Sequence, residues 1–457
     1  MGYVIFMAIV AAIGGILFGY DTAVISGTTD MVRSQFGLTD MMEGWYVGCA
    51  LIGSICGVLA AGSLSDYLGR KATMLISAAL FSISAIGCAV CGSFDGLVAY
   101  RIIGGVGIGI VSIVSPIYIS EVSPARIRGT LVSLYQLAVT VGFLLAYIVN
   151  WAIDVNIDNT LTGSTLWEKI MHTEAWRGML GSETLPALLF FLIIFFIPES
   201  PKWLIVKGKA EKAGCVLSRI YSTEEEVNEE ISNTRNSLGE DNGKWSDLLK
   251  PGILIAVIAG SAIAILGQFM GVNAVLYYGP KIFSEAGFDN PMFSTVLVGI
   301  VNCVTTILAV FIIDKVGRKQ LIYWGVSGMI ICLAAIGTYF KWGGTLGLGN
   351  GFMLTFFLAY VFCCAISISA VVFVLLSEMY PNSVRGRAMS IAGFALWIGT
   401  YLIGQLTPVL LGWSQGGTFF IFALMCIPYM LIMWKVIPET TGKTLEEIEA
   451  YWENFKK

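Results

Sequence analysis

The sequence predicts an all-α membrane protein whose twelve transmembrane helices form two six-helix halves. Three observations predict this fold: an apolar composition, twelve long apolar runs, and a set of motifs that occurs twice in the same order. Of the 457 residues, 56% are hydrophobic and 13% are charged, whereas about 25% are charged in a typical soluble domain. The net charge of −4 is spread along the chain. A nucleic-acid partner is therefore not expected.

Apolar runs of about 20 residues are long enough to cross a bilayer as helices. Twelve such runs fall near 5–27, 45–65, 72–93, 97–120, 129–150, 177–197, 253–278, 292–313, 320–340, 351–377, 388–412 and 418–437. They define an N-terminal half (1–197), a cytoplasmic linker with short helices (198–252), a C-terminal half (253–437) and a cytoplasmic tail (438–457). The linker can be a simple connection or a small helical cap that contacts both halves.

Lysine and arginine set the expected orientation, because cytoplasmic loops hold the excess of these residues. The short loops on one face carry nine of them (Arg70, Lys71, Arg126, Arg128, Lys315, Arg318, Lys319, Arg385 and Arg387). The longer loops on the other face carry five (Arg33, Lys169, Arg177, Lys281 and Lys341). The first face is therefore predicted to be cytoplasmic, and the even number of spans places both termini there.

Three motifs recur in the two halves with nearly the same spacing. DYLGRK at 66–71 recurs as DKVGRK at 314–319, EVSP at 121–124 as EMYP at 378–381, and PES at 198–200 as PET at 438–440. Such a repeat predicts that each half is built from equivalent elements.

One carboxylate, Asp21, lies inside the first predicted span. A charge at the bilayer centre costs at least ~2.5 kcal/mol on insertion scales, so it requires a partner, a proton or a function. Counting helical rise from the external ends places Asp21 and Glu183 ~9 Å deep and Arg101 ~6 Å deep. Apart from Arg177 and Lys435 at the ends of their spans, we find no other Asp, Glu, Lys, Arg or His within the spans as bounded above. We therefore predict an Asp21–Arg101 ion pair with Glu183 at the same depth, either structural or involved in proton movement.

The repeated motifs, together with PESPKWL at 198–204, PETTGKTLEE at 438–447 and FGYDTAVISG at 18–27, resemble the sugar porter family of the major facilitator superfamily. The resemblance covers nearly the whole chain, and the stretch at 18–27 is most similar to bacterial proton-coupled monosaccharide carriers, above all those for xylose. It implies a major facilitator fold with halves related by an axis along the membrane normal. It also implies a monomer in the inner membrane that needs no cofactor.

The resemblance implies proton-coupled symport of a monosaccharide, a pentose such as D-xylose or a hexose, by alternating access. Asp21 would carry the proton, because the family's uniporters have Asn where its symporters have Asp. A passive uniporter is the alternative within the family. A non-transporting sugar receptor is a third possibility, disfavoured because such sensors tend to have long cytoplasmic tails and only about 20 residues follow the last span here.

A neutral sugar requires amides, hydroxyls and an aromatic face at mid-membrane rather than cations. The resemblance assigns this role to Phe18, Gln136, Gln268, Asn273, Tyr277, Asn302 and Trp397. Any one of these alone is more typical of hydrogen bonding between helices, but as a set from both halves they favour a sugar site.

Three positions depart from the family pattern in the C-terminal half. Gly267 stands where the family has the first of two glutamines, Ile368 begins a stretch where it has an aromatic residue and G-P-x-x-W, and Leu396 stands where xylose carriers have Gln. We expect these differences to affect sugar choice and the bending of that half.

The repeated motifs also place arginines near carboxylates at the cytoplasmic helix ends. Bidentate pairs of this kind can hold helix ends in one arrangement and release them in another, and the family resemblance implies the same role; solvated charges that only fix topology are the alternative. The predicted cytoplasmic latch consists of Asp66, Arg70, Glu121, Arg128, Glu199, Asp314, Arg318, Glu378, Arg385 and Glu439.

No motif in the sequence indicates an enzyme or a metal site. His172, the single histidine, falls in an external loop. The run GGVGIG at 104–109 resembles a nucleotide-binding motif, but inside a span it predicts close helix packing.

Overall fold

A computed structural model describes residues 2–124, 126–158, 160–161, 163–221, 223–237, 245–381, 384–440, 443 and 445–455. Within these residues the chain forms twenty-one α-helices and no strand. The helices are α1 (Gly2–Val24), α2 (Thr29–Phe36), α3 (Asp40–Leu68), α4 (Arg70–Val90), α5 (Phe94–Val122), α6 (Arg128–Asp154), α7 (Leu166–Glu168), α8 (Trp176–Gly181), α9 (Thr184–Ile193), α10 (Pro201–Val206), α11 (Ala210–Leu217), α12 (Glu224–Ser237), α13 (Pro251–Phe269), α14 (Val272–Glu285), α15 (Pro291–Val316), α16 (Arg318–Leu346), α17 (Asn350–Cys364), α18 (Ala370–Met379), α19 (Arg385–Trp413), α20 (Gln415–Lys435) and α21 (Leu445–Asn454).

Twelve segments of the described chain are long and apolar enough to cross a membrane, which confirms the predicted number. They are formed by α1, α3, α4, α5, α6, α8 with α9, α13 with α14, α15, α16, α17 with α18, α19 and α20. Two boundaries differ from the prediction in a way that affects function. The second segment already begins at Asp40, and the seventh continues to Glu285.

The chain divides into two compact units. The first comprises Met1–Val32 and Cys49–Asp241, and the second comprises Arg33–Gly48 and Asn242–Lys457. The first turns of α3 therefore belong to the unit that contains the C-terminal spans. The division into halves at 197 and 253 stays a prediction.

In the first unit, α1 packs against α5 and α6, and α4 packs against α5 and α9. The glycine run of α5 lies against α3. A Cβ on Gly105 would meet the carbonyl oxygen of Ala50 at 2.0 Å, and one on Gly109 would meet that of Ser54 at 2.1 Å. The run therefore serves close helix packing, as the sequence predicts.

The polar stretch after the sixth span contains α10, α11 and α12, which also belong to the first unit. They share a small apolar core that includes Trp203, Leu204, Ala213 and Leu217. The Trp203 indole nitrogen donates to the carbonyl oxygen of Asp66, 3.0 Å away. These short helices are therefore attached to the C-terminal end of α3.

In the second unit, α13 packs against α19 and α20, and α16 packs against α17 and α20. The seventh span is interrupted between α13 and α14, where Gly271 has a φ of +88°. This left-handed conformation is strained for other residues. The tenth span contains a π-helical turn at Ala365–Ser369. A π turn interrupts the regular helical hydrogen bonds, and it occurs beside the position where the family has Gly-Pro.

Candidate functional site

The predicted intramembrane charges come together inside the first unit. Arg101 Nη1 on α5 lies 2.5 Å from Asp21 Oδ1 on α1. Glu183, in the turn between α8 and α9, lies close enough to Asp21 and Arg101 to interact electrostatically with both. All three are buried: Asp21 is 1% exposed, Arg101 is 3% exposed and Glu183 is 2% exposed. The three charges, which helical rise places at similar depths on separate helices, therefore form one buried cluster.

The turn that carries Glu183 has a local cause in the sequence. Pro186 has no backbone N–H and its ring conflicts with the carbonyl four residues earlier, that of Ser182. The helix is accordingly interrupted at Ser182 and Glu183. The hydroxyl oxygen of Tyr20, the residue before Asp21, lies 2.6 Å from Ser182 Oγ. This contact ties α1 to the interrupted turn and holds the two carboxyl groups near each other.

Donors satisfy the carboxyl oxygens of this cluster only in part. Asp21 Oδ2 and Glu183 Oε1 are buried and receive no hydrogen bond from the part of the chain that the structure describes. An ionised carboxylate can only accept, so a hydrogen bond between two carboxyl groups requires one proton. With both carboxyls ionised, the cluster with Arg101 has a net negative charge, and one proton makes it neutral.

The two sugar-site candidates of the first unit lie on neighbouring helices. Phe18 is half-buried on α1, one turn before Thr22, whose hydroxyl donates to the Phe18 carbonyl oxygen at 2.6 Å. Gln136 is exposed on α6, the helix that packs against α1. Phe18 is also only three residues from Asp21, so α1 carries both the predicted proton site and a predicted sugar contact.

In the second unit, two of the predicted amides form a direct contact. Asn273 Nδ2 donates to Gln268 Oε1 at 2.6 Å across the break between α13 and α14. Thr400 on α19 also lies against this oxygen, with Oγ1 3.2 Å away. Thr400 was not predicted, because a hydroxyl in a span is usually bonded to its own helix, as Thr400 also is to Leu396. Gln268 and Asn273 are half-buried and remain accessible to a small ligand.

The remaining candidates are on helices that adjoin this pair. Tyr277 follows Asn273 by one turn on α14, and Trp397 precedes Thr400 by one turn on α19, so each shares a helix face with its neighbour. Asn302 is half-buried on α15. Because α14 packs against both α15 and α19, the structure groups these helices around the seventh span.

Two of the departures from the family pattern are neighbours in space. A Cβ on Gly267 would lie 3.6 Å from Ile368 Cγ2 and 3.8 Å from a ring carbon of Tyr429. Ile368, which is 4% exposed and belongs to the π turn, therefore fills the space beside Gly267. The third, Leu396, is half-buried and accepts from Thr400 through its carbonyl.

The cytoplasmic motifs form equivalent networks in the two units. In the first, Arg70 donates from Nε and Nη2 to the two oxygens of Glu121, each at 3.0 Å, and also contacts Asp66 at 3.0 Å. The backbone N–H of Arg70 donates to Glu199 Oε1 at 2.9 Å. The hydroxyl of Ser200 lies 2.5 Å from Glu121.

The second unit repeats this arrangement. Arg318 Nη2 contacts Glu378 Oε1 at 2.9 Å, and the hydroxyl of Thr440 lies 2.5 Å from Glu378 Oε2. Glu439 accepts from the backbone of Lys319 at 3.3 Å. The side chain of Asp314, also predicted for the latch, is outside the described residues.

Two predicted latch arginines contact backbone oxygens, and among the described side chains neither pairs with a carboxylate of the motifs. Arg128 Nε donates to the carbonyl of Ser123 at 3.3 Å, and Arg385 Nε donates to that of Tyr380 at 3.5 Å. Both contacts reach five residues back, to the end of the preceding span. They give these arginines a helix-end role that the sequence repeat preserves.

A buried charge cluster joins the N-terminal end of α3 to the C-terminal end of α14, on the face predicted to be external, and the sequence analysis missed it. Lys281 Nζ lies 2.6 Å and 2.8 Å from the oxygens of Glu43. Arg33 also pairs with Glu43, and lies 2.7 Å from Asp40. Glu43 is fully buried and Lys281 is 9% exposed. The expectation of no further ionisable groups in the spans was wrong, because both helices extend beyond their predicted ends.

The loop between the fifth and sixth spans contains His172, whose Nδ1 accepts from the backbone N–H of Asp158 at 3.1 Å. Hydrogen bonds from Thr160 and the nearby imidazole lower the pKa of Asp158. Among the described residues, no group of three or more His, Cys, Asp and Glu side chains is placed to hold a metal ion.

Comparison with known proteins identifies the relatives of this chain. Residues 7–452 match the profile of the family described as "Sugar (and other) transporter". An arabinose-proton symporter of Bacillus subtilis (strain 168) is 40% identical over 456 residues, 99% of this chain and 96% of that protein. A D-xylose-proton symporter of Escherichia coli (strain K12) is 37% identical over 486 aligned positions, 99% of this chain and 96% of that protein.

Among solved structures, the inward open conformation of the xylose transporter XylE from E. coli matches with a TM-score of 0.85 and 35% identity, over 98% of this chain and 100% of that one. The match extends over the whole fold, as does the sequence similarity. The chain is a multi-pass membrane protein that belongs to the sugar transporter family of the major facilitator superfamily.

Proposed function

We propose that this protein is a monosaccharide/proton symporter of the bacterial inner membrane that works by alternating access, with both termini in the cytoplasm and as a monomer. The relatives named for arabinose-proton and D-xylose-proton symport support this proposal. The substrate would be a pentose such as D-xylose, or a hexose.

The observation that carries the proposal is the buried cluster of Asp21, Glu183 and Arg101. A structural ion pair needs only Asp21 and Arg101, which balance each other. Glu183 adds a second carboxyl, which makes a permanently charged cluster costly in an apolar interior. One proton shared by the two carboxyl groups removes that cost. Separation of Asp21 from Arg101 during transport would then change the affinity for this proton.

The proton gradient supplies enough free energy for accumulation. One charge that moves through 100 mV gives ~2.3 kcal/mol, and one unit of pH difference adds ~1.36 kcal/mol. Together these support a sugar gradient of roughly a hundredfold or more, because each 1.36 kcal/mol corresponds to about a factor of ten.

The sugar would bind to Phe18, Gln136, Gln268, Asn273, Tyr277, Asn302 and Trp397. These side chains offer amides, a phenol and aromatic faces, which suit a neutral polyol. A phosphorylated or acidic sugar would require a cation that this set does not include.

Charged networks at both ends would serve as latches for alternating access. The networks of Arg70 with Glu121 and of Arg318 with Glu378 would stabilise the cytoplasmic helix ends in one state and open in the other. The cluster of Glu43, Lys281 and Arg33 would do so at the external end of the seventh span.

The test is sugar transport by Asp21→Asn in proteoliposomes, with Asp95→Asn as control because Asp95 is an exposed carboxylate on α5. We expect Asp21→Asn to lose accumulation against a gradient while it keeps sugar counterflow, which needs no net proton movement. Asp95→Asn should retain both activities.

Accumulation by Asp21→Asn at the wild-type level would refute proton coupling through Asp21. If the wild-type protein itself equilibrates sugar without responding to a pH gradient, the protein is a passive uniporter. Binding of sugar without counterflow would indicate a receptor.

A further inference from the structure

A polar cavity lies on the face predicted to be cytoplasmic. It has a volume of about 230 Å³ and is bounded by the end of α5, the start of α6 and the short helices α10, α11 and α12. All of these elements belong to the first unit. Since a water molecule occupies about 30 Å³ in the liquid, the cavity has room for a small metabolite.

The two stripes of α12 explain how this cavity is formed. Val227 and Ile231 pack against the apolar core of α10 and α11. Glu230, Asn233 and Thr234, which are spaced three and four residues apart, form a neighbouring stripe that lines the cavity. The packing of the apolar stripe therefore holds three polar side chains in the cavity wall.

The cavity wall has an excess of positive charge. Arg128 and Lys202 line it, and neither forms an ion pair with a described carboxylate; Arg128 uses its Nε on a backbone carbonyl. Of the two carboxylates in the wall, Glu121 is bound through both oxygens by Arg70. Glu230 is the other. Two cations therefore face one uncompensated carboxylate, which favours an anionic ligand.

The cations suit a phosphate group, and the α12 side suits hydroxyl groups. A guanidinium presents a planar fork to two phosphate oxygens, and an ammonium acts beside it as a point charge. Glu230 accepts from the Tyr221 hydroxyl at 3.4 Å and has further acceptor capacity. Asn233 can both donate and accept. An apolar wall, which suits the carbon face of a sugar ring, includes Ile205, Leu217 and Ile220.

We propose that this cavity is a regulatory site for a phosphate monoester of a small polyol, such as a phosphorylated sugar. The phosphate would lie at Arg128 and Lys202, and the hydroxyls at Glu230 and Asn233. A bound ligand would connect α10 and α12 to the ends of α5 and α6, beside the latch network of the first unit. Because a ligand shifts a conformational equilibrium toward the state that binds it better, turnover would slow as sugar phosphate accumulates.

Equilibrium dialysis of the purified protein, in a detergent without a sugar headgroup, tests the site directly. The probes are radiolabelled D-glucose 6-phosphate and D-ribose 5-phosphate. We expect saturable binding that excess D-xylose does not displace, because the neutral sugar would occupy a different site. Inorganic phosphate should compete about tenfold more weakly, because it lacks the hydroxyl groups that contact α12.

Arg128→Gln and Lys202→Gln should each weaken binding about ten- to a hundredfold, the range for one hydrogen bond to a charged group. Arg126→Gln and Lys212→Gln are the matched controls, because these exposed residues lie near the same elements but outside the cavity wall. Both should bind like wild type. Asn233→Ala should weaken the binding of sugar phosphates and leave that of inorganic phosphate unchanged.

Counterflow of D-xylose in phosphatidylcholine proteoliposomes tests the regulatory effect. With D-glucose 6-phosphate on both sides at about ten times its measured Kd, the wild-type rate should fall to less than half. Lys202→Gln, which alters no predicted latch residue, should keep its own uninhibited rate. If D-xylose is not carried, the proposed function fails for this sugar, while the dialysis still decides whether the binding site exists.

The headgroup of phosphatidylglycerol has similar phosphate and polyol chemistry, so dialysis is repeated in nanodiscs that contain it. Nanodiscs with phosphatidylserine control for membrane charge. Loss of sugar phosphate binding with phosphatidylglycerol alone would assign the site to a lipid headgroup and overturn the soluble ligand. The inference is also overturned if neither sugar phosphate binds, if Arg126→Gln weakens binding as much as Arg128→Gln, or if bound sugar phosphate leaves counterflow unchanged.

Discussion

The external charge cluster allows a quantitative prediction for the substitution Glu43→Gln. Glu43 is fully buried, and both of its oxygens lie within 2.8 Å of Lys281 Nζ. Removal of one partner from a buried ion pair typically costs about 3–5 kcal/mol, because the other charge stays buried. Gln keeps one acceptor for Lys281, so we expect the lower end, about 3 kcal/mol. The state in which α3 and α14 are joined should therefore lose about a hundredfold in population relative to the separated state.

Hydrogen–deuterium exchange measures this change directly. Peptides that cover α14 should exchange faster in Glu43→Gln, and the KM for external sugar should change with them. Asp40→Asn is the matched control, because Asp40 pairs with Arg33 in the same cluster but both side chains are over one-third exposed. An exposed pair contributes about 0–1 kcal/mol, so this variant should remain close to wild type.

The double variant of Glu43→Gln with Lys281→Met separates a specific pair from general damage. It leaves no uncompensated buried lysine, so its effect should be smaller than the sum of the two single effects by up to about 3 kcal/mol. Strictly additive effects would refute the proposed latch. Equal exchange of α14 in Glu43→Gln and Asp40→Asn would refute it as well.

Two further predictions concern packing and the cytoplasmic networks. Gly142→Ala should lower the melting temperature by several degrees, because its Cβ would lie 2.2 Å from the Ile16 carbonyl oxygen. Gly129→Ala on the same helix is the control, because a Cβ there meets open space and should have no such effect. Equal melting temperatures of the two variants would contradict this account of the packing. Arg318→Lys should reduce the transport rate more than it reduces protein stability, because lysine lacks the planar fork with which Arg318 contacts both Glu378 and the Ile313 carbonyl. Unchanged transport by this variant would exclude a latch role for the pair.

Much of the fold followed from the sequence, because the thickness of a bilayer fixes the length of a spanning helix. The cluster of Asp21, Arg101 and Glu183 followed for a related reason. Charges are rare inside spans, and helical rise converts a position in the sequence into a depth. Three charges at one depth have few ways to be compensated other than by contact with one another.

The external cluster could not be found in the same way, because it depends on where the spans end. Glu43 and Lys281 lie near helix ends, where hydropathy changes gradually and a boundary is uncertain by several residues. Lys281 is accordingly assigned to a loop, and Glu43 lies just outside the predicted second span. A test for charges within two turns of each predicted end would have identified them.

Contacts in the C-terminal unit required the tertiary structure. Thr400 has the sequence signature of an ordinary helical hydroxyl, and only the packing of α19 on α13 brings it to Gln268. Likewise, the proximity of Ile368 to Gly267 depends on the π turn, which forms here without the Gly-Pro that the family has. Neither feature has a local pattern from which it could be derived.

Sugar-driven proton movement is the most direct test of coupling through the buried cluster. Proteoliposomes with a pH-sensitive dye inside and no initial gradient are given sugar outside. If the cluster couples proton and sugar movement, sugar entry acidifies the lumen in wild type. Asp21→Asn and Glu183→Gln should abolish the acidification, with counterflow retained in Asp21→Asn. Sugar entry without acidification in wild type, or undiminished acidification in both variants, would contradict this coupling.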